Sequence, residues 1–296
     1  MRDTFSNYHP LVNFLYFGLI FAFSMVFMHP ICLAISIVCA FIYSIILKGK
    51  KAVRFNLIFL LPTMLITALI NPAFNHEGAT IIMYLHTGNP LTFESIAYGI
   101  AASCMLATVV CWFSCFNEVV NSDKFVYLFG RIMPSMSLVL SMSLRFVPKF
   151  KSQIKVISNA QRCIGKDVSN GGIFQRARHG ITILSIMITW ALENAIETSD
   201  SMRSRGYGLP NRTAFSIYKF EKRDKTVLAI IVLLGSYLLL GSILGAFKWR
   251  YFPTMRGVGL NLFTISLFVS YAVLCLVPVI VTIKEEKQWK ATQLKI

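Results

Sequence analysis

The chain has 296 residues, 55% of them hydrophobic and only 14% charged, with a mean hydropathy of +0.62. Soluble domains carry about 25% charged residues, so this composition excludes an ordinary globular protein. The net charge of +16 would suit a nucleic-acid binder, but the basic residues sit between long apolar runs, which points to a bilayer and to no nucleic-acid partner.

A bilayer core about 30 Å thick requires about 20 mostly apolar residues per helical span. The amino terminus lacks a secretory signal pattern, and its first apolar run is expected to be retained. Leu11 to Met28 and Ile31 to Leu47 flank His29-Pro30, where the proline punctuates an otherwise overlong helix. Phe55 to Ile70 is slightly short. Ile96 to Val120 is interrupted only by Glu118 near its end, and Val227 to Phe247 and Leu260 to Ile283 complete six expected spans.

If the amino terminus faces the cytoplasm, then 1–10, 48–54, 121–225 and 284–296 lie inside and hold 1, 4, 17 and 4 basic residues. The outer connections 71–95 and 248–259 hold none and three. This is the asymmetry of the positive-inside rule, which the short segment KGKKAVR at 48–54 carries most cleanly. Both termini are therefore expected in the cytoplasm. The expected organisation is a membrane region of four spans at 1–122, an inner segment at 123–225 and a second membrane region of two spans at 226–296.

The seven cysteines are scattered, six of them in or beside apolar spans. Cys104, Cys111 and Cys115 share a helical face, which close packing of small residues explains better than metal binding. His76 and His86, in the outer loop, lack a third ligand at binding spacing, and no metal site is expected.

The inner segment is more informative. Ile132 to Leu144 and Ile181 to Leu192 are apolar for only 13 and 12 residues, lengths that suit interfacial helices better than spans. Val147, Phe150, Ile154, Ile157 and Ile164 recur at helical spacing beside a basic stripe of Lys151, Lys155, Arg162 and Lys166. Asn170-Gly171-Gly172 breaks this amphipathic helix and forms a natural hinge. A second helix is expected from about Phe174 to Arg205, each about 30 residues and 45 Å long. The first closes with Ala160-Gln161-Arg162-Cys163-Ile164-Gly165, the second with Met202-Arg203-Ser204-Arg205-Gly206. Glycine past the last turn caps a helix, and arginine suits the negative end of its dipole. A guanidinium protruding there is also suited to carboxylates and carbonyls of another protein.

The stretch ETSDSMRSRGYGLP at 197–210, with NPAFNHEG, GNPLT, SDKFVYLFGRIMPSMSLVLSMSLRFVPKF and AQRCIGKDVSNGG, resembles the transmembrane T component of energy-coupling-factor (ECF) transporters over nearly the whole chain. The resemblance implies an all-α integral membrane protein with two long cytoplasmic coupling helices, each ending in an Ala-Arg-Gly triplet. It implies a scaffold without catalysis of its own, which binds two ATP-binding-cassette ATPases and a membrane-embedded S component to import vitamins or transition-metal ions. ATP and magnesium would belong to the ATPases. Ser204, Arg205 and Gly206 match the second triplet, with serine for alanine. The first triplet falls on Cys163, Ile164 and Gly165, so its arginine is missing; Arg162, two residues upstream, would leave the helix about 200° away.

The residues agree with a passive role. No G-x-x-x-x-G-K-[ST] phosphate loop is present, and no intramembrane series of acids or histidines resembles a proton relay. Two alternatives stand beside this reading. One is a self-contained secondary transporter, which would show repeated halves that the chain lacks. The other is a lipid-modifying enzyme using His29, His76, His86 and the basic inner surface.

Overall fold

The computed structural model describes residues 4–84, 90–130, 133–169, 171–207, 209, 218–259 and 261–293. The chain divides into two compact units: Met1–Lys124 with Tyr218–Ile296, and Phe125–Ile217. In chain order the elements are α1 (Pro10–Val26), α2 (Pro30–Lys48), α3 (Lys50–Phe55), a π-helical segment (Asn56–Leu60), α4 (Leu61–Phe74), β1 (Ile81–Tyr84), β2 (Pro90–Thr92) and α5 (Phe93–Val119). They continue with α6 (Ser122–Gly130), α7 (Pro134–Cys163), α8 (Ile173–Ser204), α9 (Lys222–Ile243), β3 (Trp249–Arg250), β4 (Arg256–Gly257) and α10 (Leu262–Gln293). The strands form two small antiparallel hairpins, β1–β2 and β3–β4; the other long elements among the described residues are helices.

Two helices of the first unit begin with the same dipeptide. His9 precedes Pro10 and His29 precedes Pro30, and in each case the imidazole Nδ1 accepts the amide of the second helical residue at 3.3 Å. Proline at the first position lacks an N–H and needs none there, so His-Pro is a complete helix start. His29 is buried between the rings of Trp249 and Phe268, both centred 4.9 Å away. Here it caps α2 and packs between two aromatic rings.

The connections of the first unit gather at two opposite ends. At one end the Tyr8 hydroxyl donates to Glu285 at 2.6 Å, the His9 amide to Asp224 at 3.1 Å, and the Lys124 ammonium to the carbonyls of Ser6 and Val119. Lys48 lies 3.7 Å from Glu118 at that same end. At the other end the Tyr251 hydroxyl donates to the Met28 carbonyl at 2.8 Å, and the Ala79 amide to Pro253 at 3.0 Å. Six helical passes therefore run from end to end: α1, α2, the continuous segment Lys50–Phe74, α5, α9 and α10.

Six described helices are long and apolar enough to cross a membrane: α2, Lys50–Phe74, α5, α8, α9 and α10. Five coincide with expected spans. The expected span at 11–28 is α1, a shorter apolar helix of 17 residues, about 25 Å long and at the lower limit for crossing. It still joins the two ends. The sixth, α8, has the lowest hydropathy of the set and only 11% of its apolar window buried; it belongs to the second unit.

The core of the first unit is aromatic and is crossed by a polar network. Tyr16, Phe17 and Trp112 are fully buried and meet edge to face. Ser36 on α2 accepts from the Trp112 indole of α5 at 3.2 Å and contacts Ser24 of α1 at 3.2 Å, while Ser24 lies 3.5 Å from the Tyr271 hydroxyl of α10. Such bonds hold helices together where lipid supplies no hydrophobic drive for association. Cys111 and Cys115 are buried in this same core, and among the described residues no three His, Cys, Asp or Glu side chains gather as for a metal.

Candidate functional site: the ends of α7 and α8

The second unit is built on α7 and α8, which pack antiparallel. Lys149 donates to Asn194 at 3.0 Å and lies over the Trp190 ring, which meets Phe150 edge to face. Further along, Ile157 packs with Ile183 and Met187. Antiparallel pairing sets the carboxyl ends of the two helices, Gly165 and Gly206, at opposite ends of the pair.

Both ends close with the same hydrogen bonds. At the end of α7, the Gly165 amide donates to Arg162 and the Lys166 amide to Gln161, at 3.0 and 2.9 Å. At the end of α8, Gly206 donates to Arg203 and Tyr207 to Met202, both at 3.0 Å. Gly165 and Gly206 take positive φ angles of 78° and 73°, the left-handed conformation this cap demands. The glycines of both tips are thus explained by helix termination.

The arginine is not. A third helix, α9, ends identically, with Gly245 at φ 78° donating to Ser242 and Ala246 donating to Gly241. The residue before each glycine is Ile164, Arg205 and Leu244, with similar backbone angles in all three. The cap therefore accepts apolar residues where Arg205 stands.

Arg205 is exposed and lines an open groove of about 690 Å³ between α7 and α8. Arg145 and Lys149 share that groove from α7, and among the described residues Glu197 is the one acid lining it. Arg203, two residues earlier, does not line it, because two residues turn a helix by about 200°. Ser204 donates its hydroxyl to the Ser201 carbonyl at 2.9 Å. At the other end Ile164 is exposed, and Arg162 lies 3.6 Å from Asp167 in the following turn. The Ser169 hydroxyl, and behind it the Arg162 guanidinium, hold the Asp167 carboxyl below its usual range. Arg176 donates to the Val168 carbonyl at 2.7 Å, fastening the same turn to α8. Gly171 has φ 97° and Gly172 precedes the first residue of α8; Asn170, His86 and Gly208 lie outside the described residues. Two features go beyond the sequence reading: the groove cations Arg145 and Lys149, which lie outside the basic stripe of Lys151, Lys155, Arg162 and Lys166, and the shared cap of α9.

The passes of the first unit define a multi-pass all-α membrane protein. The sequence profile of the CbiQ family, described as cobalt transport protein, matches residues 4–215, and the chain belongs to this family. It is similar to the energy-coupling factor transporter transmembrane protein EcfT of Lactobacillus helveticus, 40% identical over 105 residues, covering 35% of this chain and 38% of that protein. The EcfT of Lactococcus lactis subsp. cremoris is 32% identical over 108 residues, 36% of this chain and 41% of its own length. That of Staphylococcus aureus is 24% identical over 198 residues, 63% and 70% of the two chains. The chain thus matches about two fifths of the length of the first of these relatives.

Proposed function

We propose that this chain is the transmembrane scaffold of an ECF-type importer. In this reading α7 and α8 are its coupling helices. Two partner ATP-binding-cassette ATPases hydrolyse ATP, and a separate S component in the bilayer binds the solute, a vitamin or a transition-metal ion. The chain catalyses nothing itself, and its termini lie in the cytoplasm.

The observation that carries this reading is the exposed Arg205 guanidinium at a helix end whose cap does not need it. An arginine fork makes charge-assisted hydrogen bonds to carboxylates and helix-end carbonyls, which is how a scaffold grips a motor subunit. Opposite placement of the two tips suits one ATPase at each end, with Arg205 anchoring one and Ile164 packing against the other, supported by Arg162. The test is purification of the tagged chain from its native membrane. The expected result is co-purification of two ATP-binding-cassette subunits and a small membrane protein, with ATPase activity in the complex. A chain that purifies alone and transports its solute unaided would overturn the proposal.

A further inference from the structure

The β3–β4 hairpin joins α9 to α10 and carries an unusual concentration of charge. Arg250 and Arg256 are cross-strand partners, so their side chains leave the same face of the ladder, an arrangement that is destabilising for like charges. Lys248 joins them, and the three cations line a groove of about 490 Å³ with Trp249, Gly257 and Val258. Among the described residues no acid lines that groove, and none of the three has an ion-pair partner.

Among the described residues these are the only lysine or arginine side chains at their end of the first unit, since the described parts of 71–95 and the turn at 27–30 hold no lysine or arginine. The platform is fixed. Tyr251 is tied to the Met28 carbonyl and Pro253 to the Ala79 amide. The ring of Trp249 lies against Gly257 so closely that a Cβ there would stand 2.1 Å from Cε3. Immediately beside it, Ile243, Leu244 and Leu262 are exposed by 80%, 73% and 88%. Apolar side chains that exposed at the ends of two membrane helices belong in the acyl region, which sets the cations and Trp249 at the level of the headgroups.

We propose that Arg250, Arg256 and Lys248 form a binding site for the phosphodiester of an anionic phospholipid. Two opposed guanidinium forks match the phosphate oxygens, and the bound anion removes the repulsion between them. The lipid's acyl chains cover Ile243, Leu244 and Leu262, which a free anion would leave bare.

The test uses the full chain in nanodiscs of phosphatidylcholine with a small fraction of phosphatidylglycerol, reading retained lipid by native mass spectrometry and thermal stability in parallel. The intact chain is expected to retain phosphatidylglycerol selectively and to be stabilised by it. Arg250→Gln with Arg256→Gln should lower that preference about thirtyfold, from the usual contribution of each basic residue near an anionic surface. Arg250→Lys with Arg256→Lys, which keeps charge and bulk, should recover part of it. Lys50→Gln with Lys51→Gln at the opposite end should leave this retained fraction in place. Equal retention by the intact chain and a folded Arg250→Gln/Arg256→Gln variant would overturn the proposal. So would full stabilisation by millimolar inorganic phosphate in phosphatidylcholine alone, which would make this a free-anion site.

Discussion

Ile164 and Arg205 occupy the same position in the same capping motif, each the last residue before a left-handed glycine, at opposite ends of an antiparallel helix pair. This separates what the fold needs at the tips from what a partner would need. The glycine serves the helix; the side chain before it is free to serve something else.

Arg205→Ala is therefore expected to leave helix α8 intact, at a cost of at most about 1 kcal/mol from the helix dipole. It should weaken ATPase capture by about 2–5 kcal/mol, the usual cost of truncating one partner of a buried, hydrogen-bonded charge pair. Lysine should rescue poorly because it lacks the planar fork. Arg162→Ala should do less damage than Arg205→Ala, since Arg162 is turned to Asp167. Pull-down of the ATPase pair, scored with uptake and membrane abundance, decides the matter. Full capture and uptake by Arg205→Ala would reduce the residue to a helix end.

Gly206→Ala should behave in the opposite manner. At φ 73°, with Leu209 Cδ1 3.0 Å from the position of the new Cβ, alanine is strained by about 1–2 kcal/mol. The expected outcome is a lower unfolding midpoint in detergent. An unchanged midpoint would mean that the end of α8 re-forms with another cap.

The two helix ends were nearly legible in the sequence: the second helix, expected at about 174–205, is Ile173–Ser204. Glycine punctuation and period-3.6 patterning act locally, so they survive without tertiary information. Other features did not. The expected span at 55–70 is part of a continuous pass from Lys50 to Phe74 containing a π-helical segment at Asn56–Leu60; Lys50 and Lys51 read as a loop because charge outweighed their good helix propensity. The β3–β4 hairpin is too short for an alternating pattern, and its Arg250–Arg256 register is set by Gly257 under Trp249. The groove joining Arg145 to Arg205 depends on antiparallel pairing, which no periodicity within one helix encodes.

Ser36 is the hub of the buried polar network in the first unit. Ser36→Ala removes contacts to Ser24 and Trp112, each worth about 0.6 kcal/mol between membrane helices, and leaves the Trp112 indole buried without its acceptor, about 1–3 kcal/mol. A loss of roughly 1–3 kcal/mol is expected in detergent unfolding, and adding Ser24→Ala should cost little more. Additive losses would show that the two serines act separately.

Stability should also fall on mild acidification through His9. Burial pushes the His9 imidazole below its ordinary pKa of 6.5, with the Asp224 carboxylate opposing, and Nδ1 must stay unprotonated to accept the Leu11 amide. A depressed histidine pKa favours the folded state above pH 6.5. That contribution is lost as pH drops from there through the folded value. Unfolding midpoints between pH 8 and 5 should decline more steeply for the intact chain than for His9→Asn, which keeps a capping side chain without the titration. Parallel curves would show that other groups set the acid limit.

Topology follows from the two-ended arrangement of the first unit. Residues 4–9, Lys48, Glu118, Asp224 and Glu285 share one end, and Met28, Ala79 and Tyr251 share the other. With the basic residues concentrated at the first end, single cysteines at 76–80 should react with an impermeant reagent added outside, and cysteines at Lys50 or Arg205 should not. Outside labelling at Lys50 would invert the orientation and remove the proposed ATPase contact.

Movement is expected within the second unit. The contact between α7 and α8 is thin, with Ile157, Ile183 and Met187 its only buried apolar residues among those described. Around it, Val147, Ile181, Leu184 and Leu192 are exposed. Burial contributes about 25 cal/mol per Å², so so small a seam resists sliding weakly, whereas the exposed stripes require cover from lipid or a partner. Coupling by these helices would use that freedom, with the glycines at 171 and 172 taking up the change. Lys149 and Asn194 face each other across the seam at 3.0 Å. Cysteines at these two positions, joined by a short bifunctional reagent that a reductant cleaves, should stop uptake while both ATPases remain bound. Cleavage should restore uptake. If the crosslinked complex transports at the full rate, α7 and α8 act as a rigid pair, and the coupling movement must lie elsewhere.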